Sequence, residues 1–356
     1  MIQNRTPHNK ESDRQPSIDI LRFIAAIMVA TSHWGLEVGS VRYAEIYDAP
    51  VIGDLVKNGG FGVNIFFVIS GFVIIGTAQK YDAFEFIFAR FNRLLPMLFI
   101  SMILVLIIGT LFIQPFEKPV ASFFHSIFLT YQVAGVQPLA TPLWTLIIEV
   151  KFYAGVALAL FILPKLFKSI KGIILLLTFW ELTILILKAG NATLGTLVLP
   201  HLSLNGFYDF FILGICFNLL SKTGIRFNQE NLLVWIVTSY FLYSGFLEPA
   251  NTSILKVYMI ITSIVIVFGG HIVLHQKLKN LAYLLGLSSY PIYLLHLHLG
   301  TFIILQLQSR IMSDMFLVIG TTVALISLFS MFLANFLEKP MQRFFKSLFQ
   351  NLYSRG

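Results

Sequence analysis

Runs of roughly 17 to 25 apolar residues recur along the whole chain, broken by short polar or charged loops, and each is long enough to cross a bilayer as a helix. No soluble domain needs so much apolar sequence: of 356 residues, 57% are hydrophobic and only 12% charged, with a mean hydropathy of +0.81. The runs fall at about 18–36, 60–78, 94–114, 143–163, 172–189, 202–220, 231–247, 254–274, 281–307 and 315–337. The stretch 120–133 (VASFFHSIFLTYQV) is too short and polar to span, and reads as interfacial or re-entrant. The expected fold class is an all-α polytopic membrane protein of about ten transmembrane helices.

With the N-terminus inside, the inner segments hold 18 of the 25 Lys and Arg and the outer segments 6, with Lys151 left inside a span. That bias places both termini in the cytoplasm and requires an even number of spans. The formal net charge of +8 then reflects this inner-face bias, together with attraction to anionic headgroups of the membrane lipids. Nucleic acid is a poor partner, because the basic residues are scattered over six inner segments rather than gathered in one groove. Residues 1–17 read as a polar cytoplasmic tail, 18–338 as a ten-helix membrane domain and 339–356 as a basic cytoplasmic tail. The first apolar run lacks a small-residue cleavage site, so the N-terminus does not read as a signal peptide. A single cysteine, Cys216, excludes an intramolecular disulfide framework. No internal repeat, low-complexity linker or appended soluble domain is legible.

Ionisable side chains inside apolar runs are costly and read as functional by default. Arg22 and His33 lie eleven residues apart in IDILRFIAAIMVATSH. On a helix they share a stripe about 16 Å long, with the arginine at the inner end and the histidine in the outer half. The plainer readings are snorkelling of Arg22 beside Asp19, and an interfacial His33 beside Trp34. In GGFGVNIFFVISGF, Gly59, Gly60, Gly62 and Gly71, with Ser70, would let helices approach closely. Arg90 and Arg93 in FARFNRLLP form either a positive-inside anchor or a bidentate site for a phosphorylated cofactor. In PLWTLIIEVKFY, Thr145, Glu149 and Tyr153 share a face while Lys151 points elsewhere. In SSYPIYLLHLHLG, Ser289, Tyr293, His296 and Gly300 form a stripe opposite His298, and Pro291 removes a backbone hydrogen bond. His33, Glu149 and His296 thus lie at similar depth on three helices. They could geometrically form a metal-ligand set, but spacing alone does not show convergence and the remaining histidines have no ligand spacing, so no metal is expected.

Together these segments resemble the membrane-bound acyltransferase-3 family, which O-acylates bacterial surface glycans. The resemblance is carried by IDILRFIAAIMVATSH with its Arg and His, the FFxxSG of GGFGVNIFFVISGF, the RxxR of RFNRLLP, PLWTLIIEVKFY, SSYPIYLLH, and FLEKP at 336–340. Six ordered motifs over about 320 residues make it specific. It implies a ten-helix core with both termini cytoplasmic, in the bacterial inner membrane. It also implies transfer of an acyl group, usually acetyl, from cytoplasmic acyl-CoA to a saccharide hydroxyl presented outside. By matched motif, His33 corresponds to the essential histidine of the first helix, and Arg22, Arg90 and Arg93 to the conserved arginines. Ser70 and Gly71 fall in FFxxSG, Trp144 and Glu149 in the tryptophan motif, and Tyr293 and His296 in the later SY…H motif. Val150 stands where the family commonly has a second Glu or a Gln.

The expected mechanism seats the CoA phosphates at the inner mouth near Arg90, Arg93 and Arg22, with the thioester threaded to the outer half. His33 is the general base on the acceptor hydroxyl. Glu149 orients or stabilises the imidazolium, and Ser70 or Tyr293 donates to the oxyanion. Direct transfer and an acyl-histidine intermediate are both open. Candidate acceptors are surface polysaccharide, lipopolysaccharide O-antigen, capsule or exopolysaccharide, peptidoglycan and smaller glycosides. One rival is a transporter or flippase of a saccharide or acyl substrate, which inverted repeats would favour and which this sequence does not display. The other is a succinyl rather than acetyl transferase.

Overall fold

A computed structural model describes residues 15–37, 52–113, 116–189, 198, 200–223, 232, 234–236, 238–239, 261–266, 269, 274–310 and 314–353. Among them there is no strand. The helices are α1 (Pro16–Glu37), α2 (Ile52–Lys57), α3 (Gly62–Ala78), α4 (Ala83–Ile108), α5 (Pro119–Ile127), α6 (Tyr131–Ala134), α7 (Leu143–Ile162), α8 (Ile170–Ala189), α9 (Tyr208–Thr223), α10 (Gln276–Leu295), α11 (Thr301–Arg310), α12 (Met315–Leu333) and α13 (Lys339–Tyr353). Wider π turns follow α4 at Gly109–Ile113, join α10 to α11 at His296–Gly300, and join α12 to α13 at Ala334–Glu338.

Seven stretches among the described residues are long and apolar enough to cross a membrane: 16–35, 59–78, 83–113, 143–162, 170–189, 276–308 and 315–351. The protein is a multi-pass membrane protein, helical and without strands among its described residues. The run expected at 202–220 is α9, sixteen residues long, preceded by a 3-10 turn at Leu204–Gly206. The larger part of the spans expected at 231–247 and 254–274 lies outside the described residues, as do His8, His271 and the expected tail up to residue 14. The segment 120–133 folds as α5 and α6, nine and four residues long, and neither can span.

Two boundaries differ from expectation for physical reasons. The third span starts at Ala83 rather than 94, because Asp82 caps it: the Asp82 carboxylate accepts from Glu85 N–H at 2.9 Å, and Glu85 Oε2 accepts from Asp82 N–H at 3.3 Å. This reciprocal box satisfies two orphan donors of the first turn, so Arg90 and Arg93 sit on a helix and not in a loop. The last span runs on through the π turn into α13, 37 residues in all. At 1.5 Å per residue that is roughly 55 Å, against about 30 Å of hydrocarbon. The stretch as a whole is longer than one crossing needs, and residues 339–353, expected as part of a tail, form the helix α13. It is amphipathic, with Phe344 and Leu348 on its apolar side and Lys339, Arg343 and Lys346 on the other.

The site is positioned by α1, which packs on α10 and on α3, and by α3 in turn on α9. Small residues set these crossings. A Cβ on Gly71 would strike the Phe211 carbonyl, and one on Gly214 the Val68 carbonyl, so α3 and α9 meet backbone to backbone. Between α1 and α10, Gly286 receives the Asp19 side chain, whose Cβ would lie 2.5 Å from an added Cβ. Such approach brings polar groups of α1, α3, α7 and α10 within hydrogen-bonding reach of one another.

Candidate active site

His33, near the end of α1, and His296, at the π turn after α10, meet across the crossing of their helices. His33 Nδ1 lies 2.8 Å from His296 Nε2, with the rings stacked at 5.0 Å and 17°. The proton positions follow from one neighbour. His296 Nδ1 is 2.7 Å from the Tyr293 carbonyl oxygen, which can only accept. His296 Nδ1 therefore carries the hydrogen, and in a neutral ring Nε2 holds the lone pair. His33 Nδ1–H donates to that lone pair, which leaves His33 Nε2 as a basic nitrogen with no proton. His296 is fully buried, whereas His33 is only partly so.

A third residue, which the sequence reading left as an interfacial neighbour, completes the clamp. Trp34 is fully buried and its Nε1–H donates to the His296 main-chain oxygen at 2.8 Å. Consecutive residues of α1 thus grip His296 at ring and backbone. Gly300 makes room, since a Cβ there would lie 2.6 Å from Trp34 Cε2. Trp34→Phe keeps an aromatic ring but deletes the N–H donor; it is expected to lower kcat about tenfold, one neutral hydrogen bond's worth, with KM unchanged. In a His296→Ala background the same change should have no further effect on kcat, which steady-state kinetics of the two variants and their combination would check.

Beside the dyad runs a cavity of about 1410 Å³. Its lining follows α3 from Val63 to Thr77, fourteen residue steps or roughly 21 Å, and continues to Lys80 beyond the helix end. Of the residues expected at the site, Arg22, Ser70, Arg90, Arg93, Glu149 and Tyr293 line it. His33 and His296 do not; they adjoin it through Tyr293, whose ring centroid is 5.8 Å from that of His296. The Tyr293 hydroxyl lies 2.6 Å from Thr145 Oγ1 and 3.2 Å from the Pro142 carbonyl, to which Thr145 also donates at 2.9 Å. Both hydroxyl protons are thereby engaged within this trio.

Glu149 was expected to serve the imidazole, but the partner the structure gives His33 is His296. Glu149 Oε1 instead accepts from Ser70 Oγ at 2.9 Å and from the Tyr153 hydroxyl. Nearby, Arg90 Nη2 donates to Thr77 Oγ1 at 3.0 Å, and its guanidinium lies 5.8 and 5.9 Å from the Phe86 and Tyr153 ring centres. Arg90 Nε is buried without a hydrogen-bond partner among the described residues. Arg93 forms a 2.6 Å ion pair with fully buried Glu338, which also accepts from Gln342 Nε2 at 2.8 Å. Gly71 faces α9, and Trp144 lies at the periphery, its ring 5.7 Å from Phe207, away from the cavity. Among the described residues no three His, Cys, Asp or Glu side chains converge as a metal site.

Fold and site together define a multi-pass membrane protein with a histidine dyad set against a long cavity lined by both polar and apolar side chains. The family model described as an acyltransferase domain matches residues 15–337, and the chain belongs to this acyltransferase-3 family. A curated relative, the peptidoglycan O-acetyltransferase OatA of Listeria monocytogenes, is 29% identical over 158 residues. That alignment covers 39% of this chain and 23% of the relative, so the chain spans under a quarter of the length of the protein it matches. No solved structure matches.

Proposed function

We propose that this protein transfers an acetyl group from cytoplasmic acyl-CoA to a saccharide hydroxyl on the outer face of the bacterial cytoplasmic membrane. The observation that carries the reading is the His33–His296 dyad beside a cavity that runs from Lys80 to Tyr293. The 18-to-6 bias of Lys and Arg supports a cytoplasmic position for both termini and for the end of the cavity bearing Lys80, Lys222 and Lys346. The name of the Listeria relative supports acetyl as the group and a glycan as the acceptor.

His33 Nε2 takes the proton of the acceptor hydroxyl as its oxygen attacks the thioester carbon. The resulting imidazolium keeps its Nδ1–H on His296 Nε2, whose lone pair stabilises it. The C–S bond then breaks, and the departing thiolate takes the Nε2 proton, so His33 returns to its starting form. Along the cavity, the hydroxyl oxygens of Ser70 and Tyr153 donate to Glu149 and retain lone pairs for the amide N–H groups of an extended donor arm. The orphaned Arg90 Nε points to an acceptor oxygen from the donor as its partner.

The test is purified protein in detergent with isotope-labelled acetyl-CoA and isolated surface glycan. Label is expected in an O-linked ester on the glycan. Saccharide flux in proteoliposomes without ester formation would instead mark a transporter and overturn the reading.

A further inference from the structure

Each arginine of the RxxR pair is engaged by the protein through one of its terminal nitrogens. Arg93 is tied to buried Glu338 at 2.6 Å, and Arg90 lies beside two aromatic rings and Thr77. Arg93 is thereby committed to Glu338, and Arg90 leaves only its buried Nε for a single donor oxygen, which is not an open fork for a polyphosphate. The mouth of the cavity offers a different set. Lys80 follows α3, Lys222 lies near the end of α9 and Lys346 stands on α13; all three are exposed and line the cavity. Two of these elements are stitched together there: Lys222 Nζ donates to Gln79 Oε1 at 2.5 Å, and Lys168 Nζ donates to the Gln79 carbonyl at 3.0 Å. Gln79 thus gathers two ammonium groups beside Lys80. Across the mouth, Phe349 of α13 stacks on Phe88 of α4 at 3.8 Å, which holds the face bearing Lys346 toward the opening. The acids on this lining are Asp19, Glu85 and Glu149; Glu85 is engaged in the α4 cap and Glu149 by two hydroxyls.

We infer that Lys80, Lys222 and Lys346 form the seat for the phosphorylated nucleotide end of the donor, while Arg93 is a positioning residue that fixes α13 to α4 through Glu338. Ammonium groups on flexible stems suit a polyphosphate that docks at an open mouth and leaves after each turnover. The inference rests on acyl-CoA being the donor.

The experiment compares acetyl-CoA, its 3′-dephospho form and acetyl-pantetheine as donors for the wild type and for Lys222→Gln/Lys346→Gln. Reactions are run in detergent and in nanodiscs with and without anionic lipid. The double variant is expected to raise KM for acetyl-CoA at least tenfold, with kcat kept. The effect should be smaller for the dephospho donor and under twofold for acetyl-pantetheine, and restoring the charge with Lys→Arg should recover most of it. Arg93→Gln should instead lower thermal stability and affect all three donors alike, because it leaves Glu338 buried and unpaired. An unchanged KM for acetyl-CoA, or equal losses with all three donors, would overturn the lysine seat. So would a loss seen only with anionic lipid present, which would assign the lysines to headgroups. A wild type that turns over none of the three donors, yet acylates glycan in whole membranes, would overturn the donor reading itself.

Discussion

His33→Ala is expected to reduce kcat for acyl transfer by at least about a thousandfold, within the range that a positioned general base contributes. His33 Nε2 is the nitrogen that the hydrogen-bond chain from the Tyr293 carbonyl through His296 leaves unprotonated. Alanine removes it without disturbing the indole N–H bond between Trp34 and the His296 main chain. Insertion and folding should therefore persist, which size-exclusion chromatography and a thermal midpoint in detergent would check. KM for the donor should stay near the wild-type value, since His33 does not line the cavity. A folded His33→Ala protein retaining a tenth of wild-type turnover would exclude His33 as the base.

His296→Ala is expected to cost about a hundredfold or more in kcat. The imidazole of His296 gives His33 Nδ1–H its acceptor, and without one the proton of a neutral His33 is free to sit on Nε2, the nitrogen the chemistry needs bare. A misplaced tautomer leaves the side chain present and idle. The Trp34 bond goes to the main-chain oxygen and survives the substitution, so the loss reports the ring rather than the helix position. His296→Gln carries an amide oxygen able to accept from Nδ1–H and should recover at least tenfold of the loss. Residues acting as one unit are not additive, so the double variant should be no slower than His33→Ala alone. Equal rates for His296→Ala and His296→Gln would contradict the tautomer argument.

How far the sequence carried depends on the interaction involved. Helical periodicity put Arg22, Glu149 and Tyr293 on polar stripes, and all three line one cavity together with Ser70. Periodicity reports which residues share a face of one helix; which faces meet depends on crossings such as Gly71 on Phe211 and Gly286 on Asp19. That is why similar depth could only group His33, Glu149 and His296, while packing joined His33 to His296 and Glu149 to Ser70 and Tyr153. The π turn at His296–Gly300 adds a residue to the helical turn just where the dyad forms, and no 3.6-residue count anticipates it. Trp34 was hidden by its type, since tryptophan beside a membrane surface needs no further reason. Arg93 and Glu338 sat in two of the matched motifs, but 245 positions separate them and nothing local pairs them. The early start of α4 was legible, because Asp82 and Glu85 form a D-x-x-E capping pattern in the loop before the apolar run.

The most direct measurement of the central claim uses sealed vesicles holding the protein in one orientation, with labelled, membrane-impermeant acetyl-CoA enclosed on the side of Lys80, Lys222 and Lys346. A glycan acceptor is supplied only on the opposite side. The account predicts O-acetylated glycan outside, formed at a rate that falls to background in His33→Ala vesicles. Acylation that appears only when donor and acceptor share one compartment would contradict it.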